Sequence, residues 1–413
     1  MTSDAPERAP ADATAGDPGP RALPLTGVKV LDLGRIYQGP WCGMMLALAG
    51  ADVVKVEQPG GEPARLRGNG GATVPLAMLN ANKRDITLDL KHPRGRELFV
   101  ELAMGADVVV ENFGPGTMDR LGIGPDVLLA ANPRLVYGAA TGYGIDGPDR
   151  DQLAMDVTIQ AHGGIMSVTG FPGQPPVKAG VAFVDFLGGT HLYGGIVTAL
   201  YERERTGRGR VVDVAMIDTI YPTLASNLSA YYRDGTVERS GNGHGGGALV
   251  PYDVFPTSDG HIALIVVTEQ HWRNLCAAIG RPELAEDERY RSNGRRFHHA
   301  DEVNGLVAAW TSSHTRAEVR TALGEARVPA AAVREIGEVV EDRHLHERGA
   351  LQHLDHPELG PIVVPHSPMR YRGSDLAELR PSPALGEHNA EVYADWLGLS
   401  ADDIATLAAE AVI

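Results

Sequence analysis

The chemistry this chain can offer resides in a few carboxylates and cations placed at the ends of short apolar runs. Asp156, in AMDVTIQAHGG (154–164), opens a helical stretch. A carboxylate there can exchange a proton or attack a carbonyl, and it can equally serve as a helix N-cap. Asp185, in AFVDFLGG, reads as a cap or packing carboxylate, and Asp126, before VLLAAN, as a second acid–base group or an N-cap. Lys83, Arg84, Lys91 and Arg120 fall on loops or strand ends, where cations meet phosphates or simply face water. FGPG (113–116) is a turn whose open backbone suits close ligand approach. The connection GRIYQGPWCG (34–43) lacks the GxGxxG spacing of a dinucleotide site. Glu57 imitates the ribose-binding acid of that fold, but standing alone it reads as a strand-end charge, so NAD is disfavoured. The histidines of HLHERGALQHLDH (344–356) follow no familiar ligand spacing, so no metal is expected. His162 lies six residues after Asp156, off its helical face.

Positioning these residues falls to alternating strands and helices. Apolar runs at 28–34, 51–57, 86–90, 106–113 and 134–140 read as buried strands, with helices at 41–50, 93–105 and 125–131. Such alternation implies right-handed βαβ units and a parallel, Rossmann-like sheet with its ligand beyond the carboxyl ends of the strands. Residues 156–204 read as mostly helical. A strand at 211–216, a helical stretch at 217–233 and the glycine-rich GNGHGGG (241–247) follow. Residues 251–330 form a smaller α+β lobe, with strands near 251–256 and 260–267 and helices around 269–280, 300–311 and 315–324. The remainder returns with a strand near 361–365 and a helix at 401–411. The expected division is a disordered tail (1–23), a large domain (24–221), a linker (222–250), a small domain (251–330), and a return linker with the C-terminal part of the large domain (331–413).

Composition narrows the class. A net charge of −16 over 413 residues argues against nucleic acid or an anionic membrane as partner, while leaving room for a local basic pocket. Two distant cysteines, Cys42 and Cys276, without a CxxC pattern fit a reducing cytosol, so a cytoplasmic location is expected. The first 23 residues lack an apolar h-region, and no apolar run reaches a membrane span of roughly 18 residues.

Six stretches then resemble one family in order: LDLGRIYQGPWCGMMLALAGADVVKVE, NANKRDITLDLK, VVENFGPGTMDRLG, NPRLVYGAATGYG, TGRGRVVDVAMID and RVPAAAVREIGEVVEDRHLHERG. The chain resembles the family III CoA-transferases, the formyl-CoA and carnitine CoA-transferase type, which also include α-methylacyl-CoA racemases. The resemblance runs from about residue 24 to 395. It implies a Rossmann-like large domain, a small lobe, and an interlocked homodimer that binds coenzyme A or acyl-CoA. Carried over by motif, Tyr37 meets the nucleotide part of CoA, and Leu88, Leu90 and Lys91 hold adenine and phosphates. Asn112, Phe113 and Thr117 flank the pantetheine and diphosphate, Arg120 binds phosphate, and the Gly245–Gly247 run matches a loop that shields the thioester intermediate.

The resemblance also implies the chemistry: an aspartate attacks the acyl-CoA thioester and carries CoA to a new carboxylic acid. The position expected for that aspartate, after a TG motif, reads Gly173, and no Asp or Glu lies between Val157 and Val184. The racemase pair of Asp and His falls on Asp156 and Asp126, with Met155 preceding the former. Asp156 is therefore the first choice for catalysis. The expected activity is CoA transfer between an acyl-CoA and a carboxylic acid. The alternatives are 2-methylacyl-CoA racemisation by α-proton exchange and a CoA-binding protein without catalysis.

Overall fold

The computed structural model describes residues 21–67, 71–246 and 249–413. Most of the expected N-terminal tail and Gly247 lie outside that range. Residues 21–23, expected within the tail, are held: Arg21 N donates to Gly373 O at 2.7 Å and Leu23 O accepts from Thr26 N.

Six strands build the main sheet: β1 (Lys29–Asp32), β2 (Asp52–Glu57), β3 (Arg84–Thr87), β4 (Val108–Glu111), β5 (Val136–Thr141) and β6 (Val211–Ala215). All pair in parallel, in the order β3-β2-β1-β4-β5-β6. This is the Rossmann order, and the chain reverses direction across the sheet between β1 and β4. Alternate strand residues face opposite sides, so β1 sends Val30 into one core and Leu31 into the other. The first core is closed by helices Gln38–Leu48 and Phe183–Thr206, the second by helix Pro93–Met104 and the C-terminal segment.

Helix 38–48 is buried at every position, so it has no polar stripe and reads simply as an apolar run. Its glycines make that burial possible. A Cβ at Gly39 would stand 2.7 Å from Gly34 Cα, and one at Gly43 would run into the Asp32 carboxylate and reach 3.0 Å from Lys83 Nζ. Helix 183–206 packs across it and approaches through Gly188, where a Cβ would meet Gln38 Nε2 at 2.6 Å.

A second lobe has its own core, built on the antiparallel sheet β7 (Tyr252–Thr257), β8 (Gly260–Ile265) and β9 (Ala330–Ala332), with helices Glu269–Ala278, Ala300–Thr311 and Arg316–Glu325. The strand expected near 361–365 is β11 (Gly360–Pro365). Its partner β10 (Leu351–His356) went unread because a two-stranded hairpin needs only a weak apolar alternation. Helix Asn389–Leu397 was also unread. It returns to β3, where Asn389 brackets Thr87 through its backbone N–H and its hydroxyl, and Tyr393 Oη donates to Thr87 O at 2.8 Å. The spacing of Val392, Tyr393, Trp396 and Leu397 before Gly398 was the signal available. Among the described residues no helix is long and apolar enough to cross a membrane.

Gly43→Ala is expected to lower stability by about 3 kcal/mol, since the added methyl overpacks a buried ion pair that cannot move aside. The urea midpoint, with an unchanged slope, is the measurement.

Candidate active site

The crevice of a doubly wound sheet opens where strand order reverses, here beyond β1 and β4. The loop after β1 is fixed there through its backbone. Gly34 N–H donates to Asp32 Oδ1 at 2.7 Å, and Lys55 Nζ donates to Gly34 O at 2.8 Å. Asn112, in the loop after β4, accepts from Arg35 N at 2.7 Å and donates back to Arg35 O at 2.9 Å. Ile36 N–H donates to Glu62 Oε2 at 3.0 Å, and Lys83 Nζ reaches Pro40 O at 2.9 Å. Asp32, Lys55, Glu62 and Lys83 are all under 5% exposed. The sequence suggested Lys83 as a phosphate cation, but it lies beneath the site, paired with Asp32 at 2.7 Å. Burial lowers its pKa, with Asp32 opposing that effect.

Two cavities flank this loop. The first, of about 230 Å³, lies over the ends of β1 to β4 and is lined by Leu33, Arg35, Leu88, Lys91, Phe113 and Thr117, with Leu90 also on its wall. Five of the sequence-derived positions (Leu88, Leu90, Lys91, Phe113 and Thr117) therefore converge on one crevice. Arg120 stands beside it, exposed, donating to Thr117 Oγ1 at 2.8 Å. Tyr37 lines neither cavity; its ring stacks on Phe186 at 6.1 Å. Asn112 reaches the second cavity, but both ends of its amide are spent on Arg35, so its role is to clasp two loops. Glu57 pairs with Arg65 at 2.8 Å, and Arg84 pairs with Asp52 and Glu391, which removes both from ligand duty.

The second cavity, of about 320 Å³, is lined by Arg35, Gln38, Asn112, Thr141, Arg150 and Asp185 among others. Arg35 and Phe113 border both cavities, with the guanidinium 4.4 Å from the ring centroid. The Arg35 side chain has no ion pair or hydrogen bond among the described residues, and burial lowers its pKa. Gln38 is 3% exposed and its Nε2 has no partner among the described residues.

The carboxylates divide sharply. Asp156 begins helix Asp156–His162, yet its side chain serves another helix: Oδ2 accepts from Val184 N at 2.8 Å and Asp185 N at 3.4 Å, and Oδ1 from Gln160 Nε2 at 2.6 Å. Helix 183–206 has Ala182 at its N-cap, which offers no acceptor, and Asp156 supplies one from outside. Asp156 thus accepts three hydrogen bonds, two of them from the backbone that opens helix 183–206. Asp185 is the reverse. Its carboxylate faces the second cavity with no hydrogen bond among the described residues. Burial first, and the charge of Asp156 second, push it up to about 7. From sequence Asp185 is one of three candidate acids and ranks below Asp156, because AFVDFLGG favours a cap or packing carboxylate there.

The remaining candidates lie elsewhere. Gly173 sits in an exposed loop with φ +71°, and Asp126 in an exposed first helical turn. His162 contacts Tyr143 Oη at 3.1 Å. Gly245 and Gly246 line a different cavity, with Arg239 and Tyr252, and among the described residues none of this loop lines the Asp185 cavity.

A Rossmann-ordered sheet with a crevice at its switch point, adjoining a second cavity that holds a half-buried carboxylate, is the arrangement in which α/β enzymes of this topology bind their ligands. Residues 25–389 match the CoA-transferase family III model, and the chain belongs to that family. It is 38% identical to the succinyl-CoA–D-citramalate CoA-transferase of Chloroflexus aurantiacus over 400 residues, covering 94% of this chain and 98% of that one. It is also 38% identical to the formyl-CoA:oxalate CoA-transferase of Streptomyces avermitilis over 407 residues, covering 94% and 99%. The crystal structure of a CAIB/BAIF family protein from Brucella suis superposes with a TM-score of 0.80 at 34% identity, covering 91% of this chain and all of that one.

The raised Asp185 carboxyl carries a stability signature. Its native pKa of about 7 exceeds the unfolded value of about 3.9, so the native state binds more protons across that window and loses stability as pH rises through it. Asp185→Asn is therefore expected to raise Tm by roughly 2 °C or more at pH 8, with the gain vanishing near pH 4. Asp156→Ala is expected to lower stability at pH 8 by about 1–2 kcal/mol through loss of the cap. Thermal melts across pH check both.

Proposed function

We propose that this enzyme moves CoA between an acyl-CoA and a dicarboxylic acid, with Asp185 as nucleophile. The observation that carries the assignment is the half-buried Asp185 carboxylate, without a hydrogen bond among the described residues, sharing the second cavity with the unpartnered Gln38 amide. Asp185 attacks the thioester carbonyl, the C–S bond breaks, and CoA departs as the thiolate, leaving a mixed anhydride. Gln38 Nε2 donates to the oxyanion as it forms, a charge better stabilised by a fixed amide in a dry site than by water. The thiolate then attacks the Asp185 carbonyl, releasing the donor acid and leaving Asp185 as its CoA thioester. The acceptor carboxylate attacks that thioester and expels the CoA thiolate, giving a second mixed anhydride; the thiolate then attacks the acceptor's acyl carbonyl, forming the new acyl-CoA and releasing Asp185 as the carboxylate. Asp156 acts through structure: it orients the helix end that presents Asp185.

The first cavity suits the nucleotide end of CoA, with Leu88 and Leu90 on its wall, Lys91 and Arg120 at its rim, and Phe113 and Thr117 toward the diphosphate. Tyr37 supports the same loop through Phe186. Arg35 and Arg150 bring two cations to the cavity of a protein with net charge −16. That local charge suits an acyl chain ending in a second carboxylate, and the relatives named above carry dicarboxylic acids in their names. A second copy of the chain is part of this reading. Leu153 (95% exposed), which lines the second cavity, and Val181 (68%), four residues before Asp185, leave apolar surface open near the site, and an interlocked dimer would cover it and bring in the glycine-rich loop. The two buried, unpaired cysteines are consistent with a reducing cytoplasm.

Asp185→Asn is expected to reduce transfer by at least about 1,000-fold, and mass spectrometry of the wild-type enzyme with acyl-CoA to find CoA on the peptide containing Asp185. New acyl-CoA without deuterium from D₂O supports transfer. A one-dalton gain in the donor thioester without acid exchange would establish α-proton chemistry instead. Because the nucleophile must be ionised, kcat/KM is expected to rise with pH and level off above about 7. Arg150→Ala is expected to raise KM at least about tenfold for dicarboxylic acceptors and to spare monocarboxylic ones.

A further inference from the structure

Lys55 and Glu62 form an ion pair of 2.9 Å, with side chains 1% and 2% exposed. A buried pair contributes little net stability, because desolvating both charges offsets their attraction. What this pair contacts is backbone. Lys55 Nζ holds Gly34 O and Glu62 Oε2 holds Ile36 N–H, which are polar groups on either side of Arg35. Ile36 sits at φ +65°, a left-handed conformation that a β-branched residue adopts only when its surroundings impose it. The side chains just before and after that turn, Arg35 and Gln38, are the ones that enter the Asp185 cavity.

We infer that the Lys55–Glu62 pair is a positioning device for the reaction, fixing the left-handed turn at Ile36 so that Arg35 and Gln38 face the thioester. Neither residue touches substrate. The inference rests on the reading of the Asp185 cavity as the reaction site. Asp32 and Asn112 hold the same loop independently, so losing Glu62 releases the turn without detaching the loop. The CoA crevice takes only Leu33 and Arg35 from this loop and its other walls from β2 and the segments after β3 and β4, so CoA affinity should change far less than kcat.

The test compares Glu62→Ala, Glu62→Gln and Asp185→Asn in the full-length enzyme, measuring kcat, Tm and calorimetric Kd for free CoA. Glu62→Ala is expected to lose roughly 100-fold in kcat, the scale of a misplacement of about 1 Å, with CoA affinity held within about threefold. Glu62→Gln keeps an acceptor for Ile36 N–H and is expected to recover at least about tenfold. Wild-type kcat in Glu62→Ala beside an inactive Asp185→Asn would overturn the positioning role and leave the nucleophile standing. Parallel loss of Tm and kcat in both Glu62 variants would also overturn it, marking a purely structural pair. Should Asp185→Asn keep full transfer, the reading of the cavity fails and the inference falls with it.

Discussion

From Gly34 to Ile36 all three backbone N–H groups and two of the three carbonyls are held by side chains rather than by a regular element, and Pro40 O is held in the same way. Asp32, Lys55, Glu62 and Lys83 reach this loop from below, and Asn112 clasps it from the neighbouring loop. A loop at a sheet's switch point cannot borrow hydrogen bonds from the ladder, and buried backbone groups left unpaired would each cost about 1–3 kcal/mol. Charged partners satisfy them, and those partners then need each other, which produces the Lys55–Glu62 and Lys83–Asp32 pairs. Helix 38–48 lies over the second pair only because position 43 is glycine.

Those pairs differ electrostatically although both are buried. Desolvation pulls Lys55 down, but Glu62, Asp32 and Glu57 together hold it above its ordinary value. Lys83 faces Asp32 with Lys55 nearby, and burial prevails in lowering it. Several carboxylates share few cations around these pairs. One of them, Asp85, is driven well above its ordinary value by burial and the neighbouring Glu57. Arranged in this way, the charges hold geometry more than they add stability.

The two aspartates near the start of helix 183–206 show how environment assigns roles to identical side chains. Asp156 receives three hydrogen bonds and becomes part of the scaffold. Asp185 receives none, faces a cavity beside its charged neighbour, and keeps a raised pKa. A partly desolvated carboxylate without hydrogen bonds is the more reactive one, and its cost to the native state is the usual exchange of stability for function.

Sequence alone determined the parallel sheet, because strand and helix periodicities are local and βαβ connections allow few arrangements. Strand-end placement put 34–43 and 111–122 on one edge of the sheet, and the family resemblance named Leu88, Leu90, Lys91, Phe113 and Thr117, which line one cavity. Tertiary structure decided which carboxylate is free. Asp156 and Asp185 are 29 residues apart, and which one caps a helix depends on how helix 156–162 folds back against helix 183–206. Sequence spacing carries no trace of that contact. The same holds for Asn112 and Glu62, read as ligand contact or left unread, whose partners are backbone groups 77 and 26 residues away. Backbone acceptors and donors have no residue type, so only the folded chain shows which side chains they consume.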